Sequence, residues 1–156
     1  MLEIDISGFG SVKLKHLVSD FTGTLSVNGK LLPGVKEQLN KIADLLAVHI
    51  LTSDTFGMAK SELKGVRCKT SILKGDYHDL QKEEYVQNLG ASSVVAFGNG
   101  NNDRKMLRVS RLGIAVTEGE GCSIDALMSA DVHIASIKAG LALLLNPKRF
   151  KATLRY

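Results

Sequence analysis

Apolar residues along this chain recur with two periods, one typical of buried strands and one typical of amphipathic helices. Residues 16–19, with the apolar pair Leu17-Val18 at their centre, lead to Asp20 and predict a buried strand that ends there. Residues 34–46 instead place apolar side chains, from Val35 to Leu46, on one helical face. The same patterns predict strands at 47–51, 66–72, 93–97, 112–116 and 132–135, and helices at about 54–64, 79–89, 102–109, 123–128 and 137–145.

Two hairpins are also predicted before the first long helix. Residues 2–6 and 12–14 flank a Gly-Phe-Gly turn, and residues 25–32 surround Asn28-Gly29, a pair that suits the positive φ angles of a tight turn. Within the 79–89 helix, Leu80, Val86 and Leu89 are expected to face the core.

Strands that are apolar throughout and alternate with helices indicate a parallel sheet covered on both faces. We therefore predict an α/β fold, a three-layer αβα sandwich with a Rossmann-like parallel sheet, formed by one domain over residues 1–156. In such sheets ligands bind beyond the carboxyl ends of the strands. Asp20, Thr52 and the 98–103 loop all follow predicted strands, so we expect them to share one crevice.

Composition narrows the class of protein. The chain has 156 residues, 44% of them hydrophobic and 23% charged, which fits a soluble domain with an aliphatic core. Its net charge of +4 includes a basic C-terminal cluster, 148–155, which we expect to be a solvated tail. No aromatic residues alternate with basic ones as in nucleic-acid-binding surfaces, so a nucleic-acid partner is disfavoured.

The expected location is a reducing cytoplasm. Cys68 and Cys122 show no metal-binding or redox spacing, so we expect two buried free thiols. Residues 1–10 lack the apolar core of a signal peptide, and the longest apolar run, 139–145, is far short of a membrane span. We expect no membrane partner.

Asp20 is the first candidate for chemistry, because it ends a strand and is followed by the Thr22-Gly23-Thr24 turn. A carboxylate exposed in this way can act as a nucleophile, and the backbone N–H groups of the turn can hold phosphate oxygens. The alternative is a simple strand end with a turn behind it. Thr52, with Ser53 beside it, offers hydroxyl donors to the same phosphate at the end of the next strand.

Lys82 and the 98–103 loop complete the candidate site. The Lys82 ammonium, near the start of a helix, can return to the crevice and bridge nucleophile and phosphate, although a surface position is the alternative. Asp103, assisted by the amide of Asn99 or Asn102, is the candidate carboxylate for Mg²⁺. A dinucleotide fingerprint is the competing interpretation of this loop, but its third glycine is expected where Asp103 stands.

These residues resemble the haloacid dehalogenase superfamily of phosphohydrolases, with Asp20, Thr52, Lys82 and Gly98 to Asp103 in the order of its four motifs. Asp-Phe-Thr-Gly-Thr and Gly-Asn-Gly-Asn-Asn-Asp are most similar to the phosphorylation domains of P-type ATPases, and the chain resembles the stand-alone soluble members of that group. The resemblance implies an aspartyl phosphate at Asp20, a Mg²⁺ cofactor, and a metal ligand from the Thr22 carbonyl.

Two departures from the superfamily pattern affect the expected activity. Thr22 stands where the phosphatases usually have the aspartate that acts as general acid and base, so we expect slow hydrolysis. Asn99 stands where a metal-binding aspartate is usual, so one negative charge fewer is expected to weaken Mg²⁺ binding.

The spaces between the motifs hold no cap domain, since only a hairpin and one helix fit between Asp20 and Thr52. We therefore expect an open crevice, which suits a macromolecular phosphate ester, or a small phosphorylated substrate if a homo-oligomer supplies the lid. The predicted function is a slow Mg²⁺-dependent phosphatase. The alternative is a regulatory module that binds phosphate or Mg²⁺ without turnover and acts through a protein partner.

Overall fold

A six-stranded parallel sheet forms the centre of the computed structural model, which describes residues 1–156. The strand order β10-β9-β8-β3-β6-β7 places β3, the strand that ends at Asp20, between β8 and β6. Two small antiparallel hairpins, β1-β2 and β4-β5, lie outside this sheet. The strands are β1 Leu2–Ile6, β2 Gly10–Leu14, β3 His16–Asp20, β4 Ser26–Val27, β5 Lys30–Leu31, β6 Ala47–Thr52, β7 Lys69–Ile72, β8 Val94–Gly98, β9 Leu112–Val116 and β10 Val132–Ile134.

Alternate side chains of the central strands enter two separate hydrophobic cores, one on each face of the sheet. Leu17 of β3 joins the larger core and its neighbour Val18 joins the smaller one. In β8, Val95 belongs to the larger core and Ala96 to the smaller. Because successive residues of a strand point to opposite faces, a strand apolar throughout is what this three-layer arrangement requires.

Helices cover both faces. Helices α1 and α6 pack on each other over the larger core, whereas α3, α4 and α5 lie side by side over the smaller one. The helices are α1 Val35–Ile42, α2 Ala59–Glu62, α3 His78–Leu89, α4 Arg104–Val109, α5 Ile124–Ser129, α6 Ile137–Leu145 and α7 Lys148–Leu154. The predicted αβα sandwich with two hairpins and no cap domain is confirmed. None of these helices is long and apolar enough to cross a bilayer.

The helix predicted over about 54–64 is wrong for most of its length, because only Ala59–Glu62 is helical. Asp54 has a left-handed φ of 55°, and its carboxylate accepts a hydrogen bond from the Ala59 N–H at 2.8 Å. Gly57 is also left-handed, with φ of 67°. These local bonds satisfy the backbone in a loop conformation, which competes with a helix.

Four side chains lie differently from the prediction. Leu80 is 46% exposed, because the inward face of α3 is set by Lys82 and Val86. Leu46 is buried but follows the end of α1. Both cysteines are free, yet they are only partly buried.

The C-terminal residues form a helix where a solvated tail was predicted. Pro147 stands directly before α7, close to the helix start where proline is common, and Phe150 is fully buried against the large core. The basic side chains of Lys148 and Lys151 are exposed, as predicted. The charge pattern alone does not indicate that Phe150 between them is buried.

We expect Phe150→Ala to reduce the free energy of unfolding by about 3–5 kcal/mol, because it empties a fully buried aromatic site. Lys151→Ala, one residue further along the exposed face of α7, is the matched control and should change stability by less than about 0.5 kcal/mol. Urea unfolding of both variants tests this. Equal stabilities would mean that α7 does not belong to the folded core.

Candidate active site

Three neighbouring strands, β8, β3 and β6, end at one edge of the sheet and bring together residues that are distant in sequence. In the parallel register Asp20 lies opposite Leu51, so Thr52 ends β6 one residue further on. Gly98 ends β8 on the other side of β3 and opens the 98–103 loop. The predicted convergence of Asp20, Thr52 and this loop is therefore present.

Lys82 reaches the centre of this edge from α3, which covers the face of the sheet that also buries Val18. Its ammonium donates to Asp20 Oδ1 at 2.9 Å, to Asp103 Oδ1 at 2.7 Å and to the Asn102 side-chain oxygen at 3.0 Å. All three protons of the ammonium are thus used. Lys82 is 1% exposed, so the alternative of a surface lysine is wrong.

Asp103 lies fully buried behind Lys82 and organises the loop. Its Oδ2 accepts hydrogen bonds from the backbone N–H groups of Asn99 and Gly100, each at 2.9 Å. A side chain at Gly98 would collide with the Asp103 carboxylate, which explains a glycine there. Since Lys82 and two amides occupy both carboxylate oxygens, Asp103 faces the loop rather than the open crevice. Its predicted role as a direct metal ligand stays a prediction.

Asn99 and Thr24 lie on the other side of the nucleophile. The Thr24 hydroxyl is 3.3 Å from Asp20 Oδ2 and 3.1 Å from Asn99 Oδ1. The single proton of the Thr24 hydroxyl can be donated to only one of these two acceptors. Either Asp20 Oδ2 or Asn99 Oδ1 is therefore left without this donor.

In the nucleophile turn, residues 22–24 after Asp20, some backbone N–H groups already make hydrogen bonds and others make none. The Gly23 N–H donates to Ser26 O at 3.1 Å and the Thr24 N–H to Phe21 O at 3.3 Å. The Gly23 and Thr24 N–H groups are predicted to bind phosphate, and a phosphate bound there would have to compete with these backbone hydrogen bonds. The Thr22 N–H and carbonyl, in contrast, make no backbone hydrogen bond.

Thr52 is placed to donate to a ligand at this edge. Its buried hydroxyl accepts a hydrogen bond from the Asp54 N–H at 2.9 Å, which leaves the hydroxyl proton available. Ser53 is exposed, and its hydroxyl lies 3.1 Å from that of Thr55. The strand end therefore supplies one buried donor, Thr52, and one solvent-facing hydroxyl.

Two carboxylates and one ammonium give the buried site an excess negative charge. Burial and the neighbouring Asp103 raise the pKa of Asp20 to about 7, although Lys82 opposes the shift. Burial alone would lower the pKa of Lys82, but Asp103 and Asp20 outweigh burial and raise it above its usual value. Lys82 therefore stays charged.

The oxygen donors beside Asp20 fit a hard divalent cation. Asp20 Oδ2 and Asn99 Oδ1 share the Thr24 hydroxyl, and the Thr22 carbonyl in the same turn makes no backbone hydrogen bond, so these three oxygens are the candidate donors. Mg²⁺ is bound in proteins through one or two carboxylates, other oxygens and water. The incompletely satisfied Asp20–Asn99 pair is thus compatible with Mg²⁺.

A polar groove opens next to the site on the α3 side, and Asn102 belongs to both. Tyr77, which starts α3, has a left-handed φ of 60° and is 74% exposed in this groove. A bulky residue in that conformation is unusual. The groove measures about 500 Å³ and is lined by Gly75, Asp76, Tyr77, His78, Asp79, Asn101, Asn102 and Arg104.

Comparisons with known proteins agree with this geometry. Residues 77–126, which carry Lys82 and the 98–103 loop, match the family described as haloacid dehalogenase-like hydrolase. The chain belongs to the haloacid dehalogenase-like hydrolases. An uncharacterised protein of Methanocaldococcus jannaschii is 44% identical over 62 residues, 40% of this chain and 67% of that protein.

A second relative from the same organism is a soluble P-type ATPase-like phosphatase, 27% identical over 141 residues. The match covers 85% of this chain but only 50% of that relative. Among solved structures, 3-deoxy-D-manno-octulosonate 8-phosphate phosphatase from Moraxella catarrhalis, in complex with a magnesium ion, a phosphate ion and a KDO molecule, is similar with a TM-score of 0.64. It is 20% identical, over 91% of this chain and 94% of that one.

The predicted superfamily and the predicted kind of enzyme, a phosphohydrolase, are confirmed. The likeness to soluble P-type ATPase-like proteins is supported as well. The roles of the individual site residues in this haloacid dehalogenase-like hydrolase stay predictions, although the structure brings all of them to one edge of the sheet.

Sequence reasoning missed two residues near the site. Glu120 lies in a loop that no sequence motif marks, and its carboxylate reaches the turn that follows Asp20 at Gly23. Nothing in the sequence predicts the position of Tyr77, because a left-handed backbone conformation is not expected for tyrosine. Glu120 is flanked by Gly119 and Gly121, and this pair of glycines is the sequence signal that indicates a close approach to another backbone.

We expect Asp20→Asn to stabilise the metal-free protein at pH 8. The pKa of folded Asp20 lies above the value of about 3.9 for an unfolded aspartate, so its ionisation costs stability. That cost is absent below about pH 4 and complete above about pH 7. Denaturant unfolding in chelator should show a gain of about 4 kcal/mol at pH 8 and only about 1 kcal/mol at pH 4.5. A pH-independent difference would contradict the shift.

Proposed function

We propose that this hydrolase is a Mg²⁺-dependent phosphatase that forms an aspartyl phosphate at Asp20. The observation that supports the proposal is the position of the Lys82 ammonium, which contacts the carboxylates of both Asp20 and Asp103 at the carboxyl edge of the sheet. Asp20 is the only one of the two carboxylates with any solvent exposure, at 6%. A phosphate monoester that enters the crevice meets Asp20 first.

Phosphoryl transfer would proceed in two steps. An Asp20 carboxylate oxygen attacks phosphorus, the bond to the leaving oxygen breaks, and the leaving group takes a proton from water. The Thr52 hydroxyl, whose proton is available, would donate to a phosphate oxygen, and Lys82 would exchange one of its three present acceptors for another phosphate oxygen, so that fixed donors stabilise the charge. A water molecule then attacks phosphorus of the aspartyl phosphate, which releases inorganic phosphate and regenerates the carboxylate.

Asp20 Oδ2, the Asn99 amide oxygen and the Thr22 carbonyl would hold the cation, with Asp103 as a buried charge behind Lys82. Bound there, Mg²⁺ would neutralise negative charge on the transferring phosphate. The magnesium and phosphate ions bound by the similar Moraxella catarrhalis phosphatase support this choice of metal.

Mg²⁺-dependent release of phosphate from an aryl phosphate tests the proposal, with Asp20→Asn measured beside the wild type. We expect the variant to lose all turnover above background, because an amide cannot become the acyl phosphate. Folding of the variant is checked by its unfolding transition. Wild-type rates in Asp20→Asn would overturn covalent catalysis at this residue.

Thr22 limits the second step in this proposal. A threonine hydroxyl does not titrate near pH 7, so water attacks without a general base. We expect Thr22→Asp to raise the rate of aspartyl-phosphate hydrolysis by about a hundredfold, the lower end of the usual range for general base catalysis. Thr22→Asn, of similar size but unable to titrate, is the control and should give no gain. Equal rates in both variants would mean that the base is not limiting.

A second candidate function is a regulatory module that binds phosphate or Mg²⁺ without turnover and acts through a protein partner. Thr22 and Asn99, at positions where the superfamily usually has aspartates, are the observations that favour it. In that case the aryl phosphate assay would be silent for the wild type, while Mg²⁺ or phosphate would still bind.

The remainder of the substrate would lie in the polar groove beside Asn102, where Tyr77 offers an exposed ring. No cap covers this groove, so a lid from a second copy of the chain remains our proposal. Two free cysteines support a reducing, cytoplasmic setting.

A further inference from the structure

The loop over residues 117–123, between β9 and α5, closes against the nucleophile turn and brings one carboxylate with it. Glu120 Oε2 lies 2.9 Å from the point that a Cβ atom on Gly23 would occupy. Glu120 Oε1 accepts a hydrogen bond from the Asn28 N–H in the β4-β5 hairpin at 3.2 Å. Glu120 therefore connects the hairpin to the turn that follows Asp20.

The same loop holds Asn99 in one orientation. The Asn99 side-chain N–H donates to Gly121 O at 3.1 Å, and its backbone carbonyl accepts from the Ser123 N–H at 2.7 Å. The amide nitrogen thus faces the loop, which leaves the amide oxygen directed at Thr24 and Asp20. An aspartate at position 99 would instead place a negative oxygen against the Gly121 carbonyl.

Asn99 and Glu120 approach the same space. The Asn99 amide nitrogen also contacts the position of a Gly23 Cβ, so both side chains depend on the missing side chain of Gly23, which has a φ of 79°. Gly119 likewise packs closely on Val27, with a Cβ position 3.1 Å from the valine methyl. These glycines allow the exposed carboxylate of Glu120 to come close to the Asn99 amide nitrogen, beside the turn that follows Asp20.

The other carboxylate of the loop is engaged elsewhere. Glu118 Oε1 accepts from the Ile137 N–H at 2.7 Å and caps the start of α6. Glu120 is consequently the carboxylate of this loop that faces the nucleophile turn.

We propose that Glu120 supplies the negative charge that Asn99 lacks, so that the charge attracting the cation has moved from the 98–103 loop to the 117–123 loop. Glu120 would act as a positioning residue through its charge across the Gly23 turn, without joining the direct donors Asp20, Asn99 and Thr22. This inference rests on the Mg²⁺ dependence of the proposed function.

Mg²⁺ titration by calorimetry of the wild type, Glu120→Gln, Asn99→Asp and the double variant tests the inference without measuring activity. We expect Glu120→Gln to weaken Mg²⁺ binding by about threefold to tenfold at low ionic strength. The effect is modest because the Glu120 charge attracts the cation without contacting it and is partly screened by water. The loss should shrink in 0.5 M salt, whereas a purely structural loss would not. Glu37→Gln, at an exposed position on α1, controls for net charge and should leave affinity unchanged.

The double variant gives the sharper result. Asn99→Asp alone should gain little affinity, because its carboxylate meets Glu120 and the Gly121 carbonyl, whereas the same change in the Glu120→Gln background should gain more. Additive effects of the two substitutions, or a wild-type affinity in Glu120→Gln, would overturn the inference and leave the phosphatase proposal standing. Absence of Mg²⁺ binding in the wild type would overturn both.

Discussion

The structure of the site depends on one buried ammonium shared by two carboxylates. Lys82 lies between Asp20 and Asp103, and removal of either partner would change the charge balance of the whole edge. Because Asp103 also gathers the amides of Asn99 and Gly100, the same ion pair fixes the loop that follows β8. Burial gives this arrangement its rigidity, since an uncompensated charge in the same place would be costly.

Much of the fold and the position of the site could be predicted from the sequence. Continuous apolar runs mark the parallel strands, and polar residues at their ends must converge at one edge because the strands run in the same direction. Lys82 was predicted for the site through its order in a known pattern of motifs. Its burial could not be read from the helix, where it looks like an ordinary charged residue.

The features that escaped prediction arise from contacts between distant segments. The short α2 depends on Asp54, whose carboxylate binds the Ala59 N–H in place of a regular helix. Phe150 is buried because α7 folds back onto β1, a contact that charge patterning cannot show. The approach of Glu120 to Gly23 likewise joins two loops that only the finished sheet places side by side.

The sheet order has a consequence for the nascent chain. Its central strand, β3, is made early, but Asp20 acquires its lysine partner and its neighbouring loop only when α3 and β8 have been added. Until then Asp20 is a solvated aspartate of ordinary acidity with no ammonium beside it. Parallel pairing between distant segments is slow to form. A partly folded chain in which α3 and β8 have not yet packed beside β3 therefore carries the nucleophile without the ammonium and the loop that surround it in the folded protein.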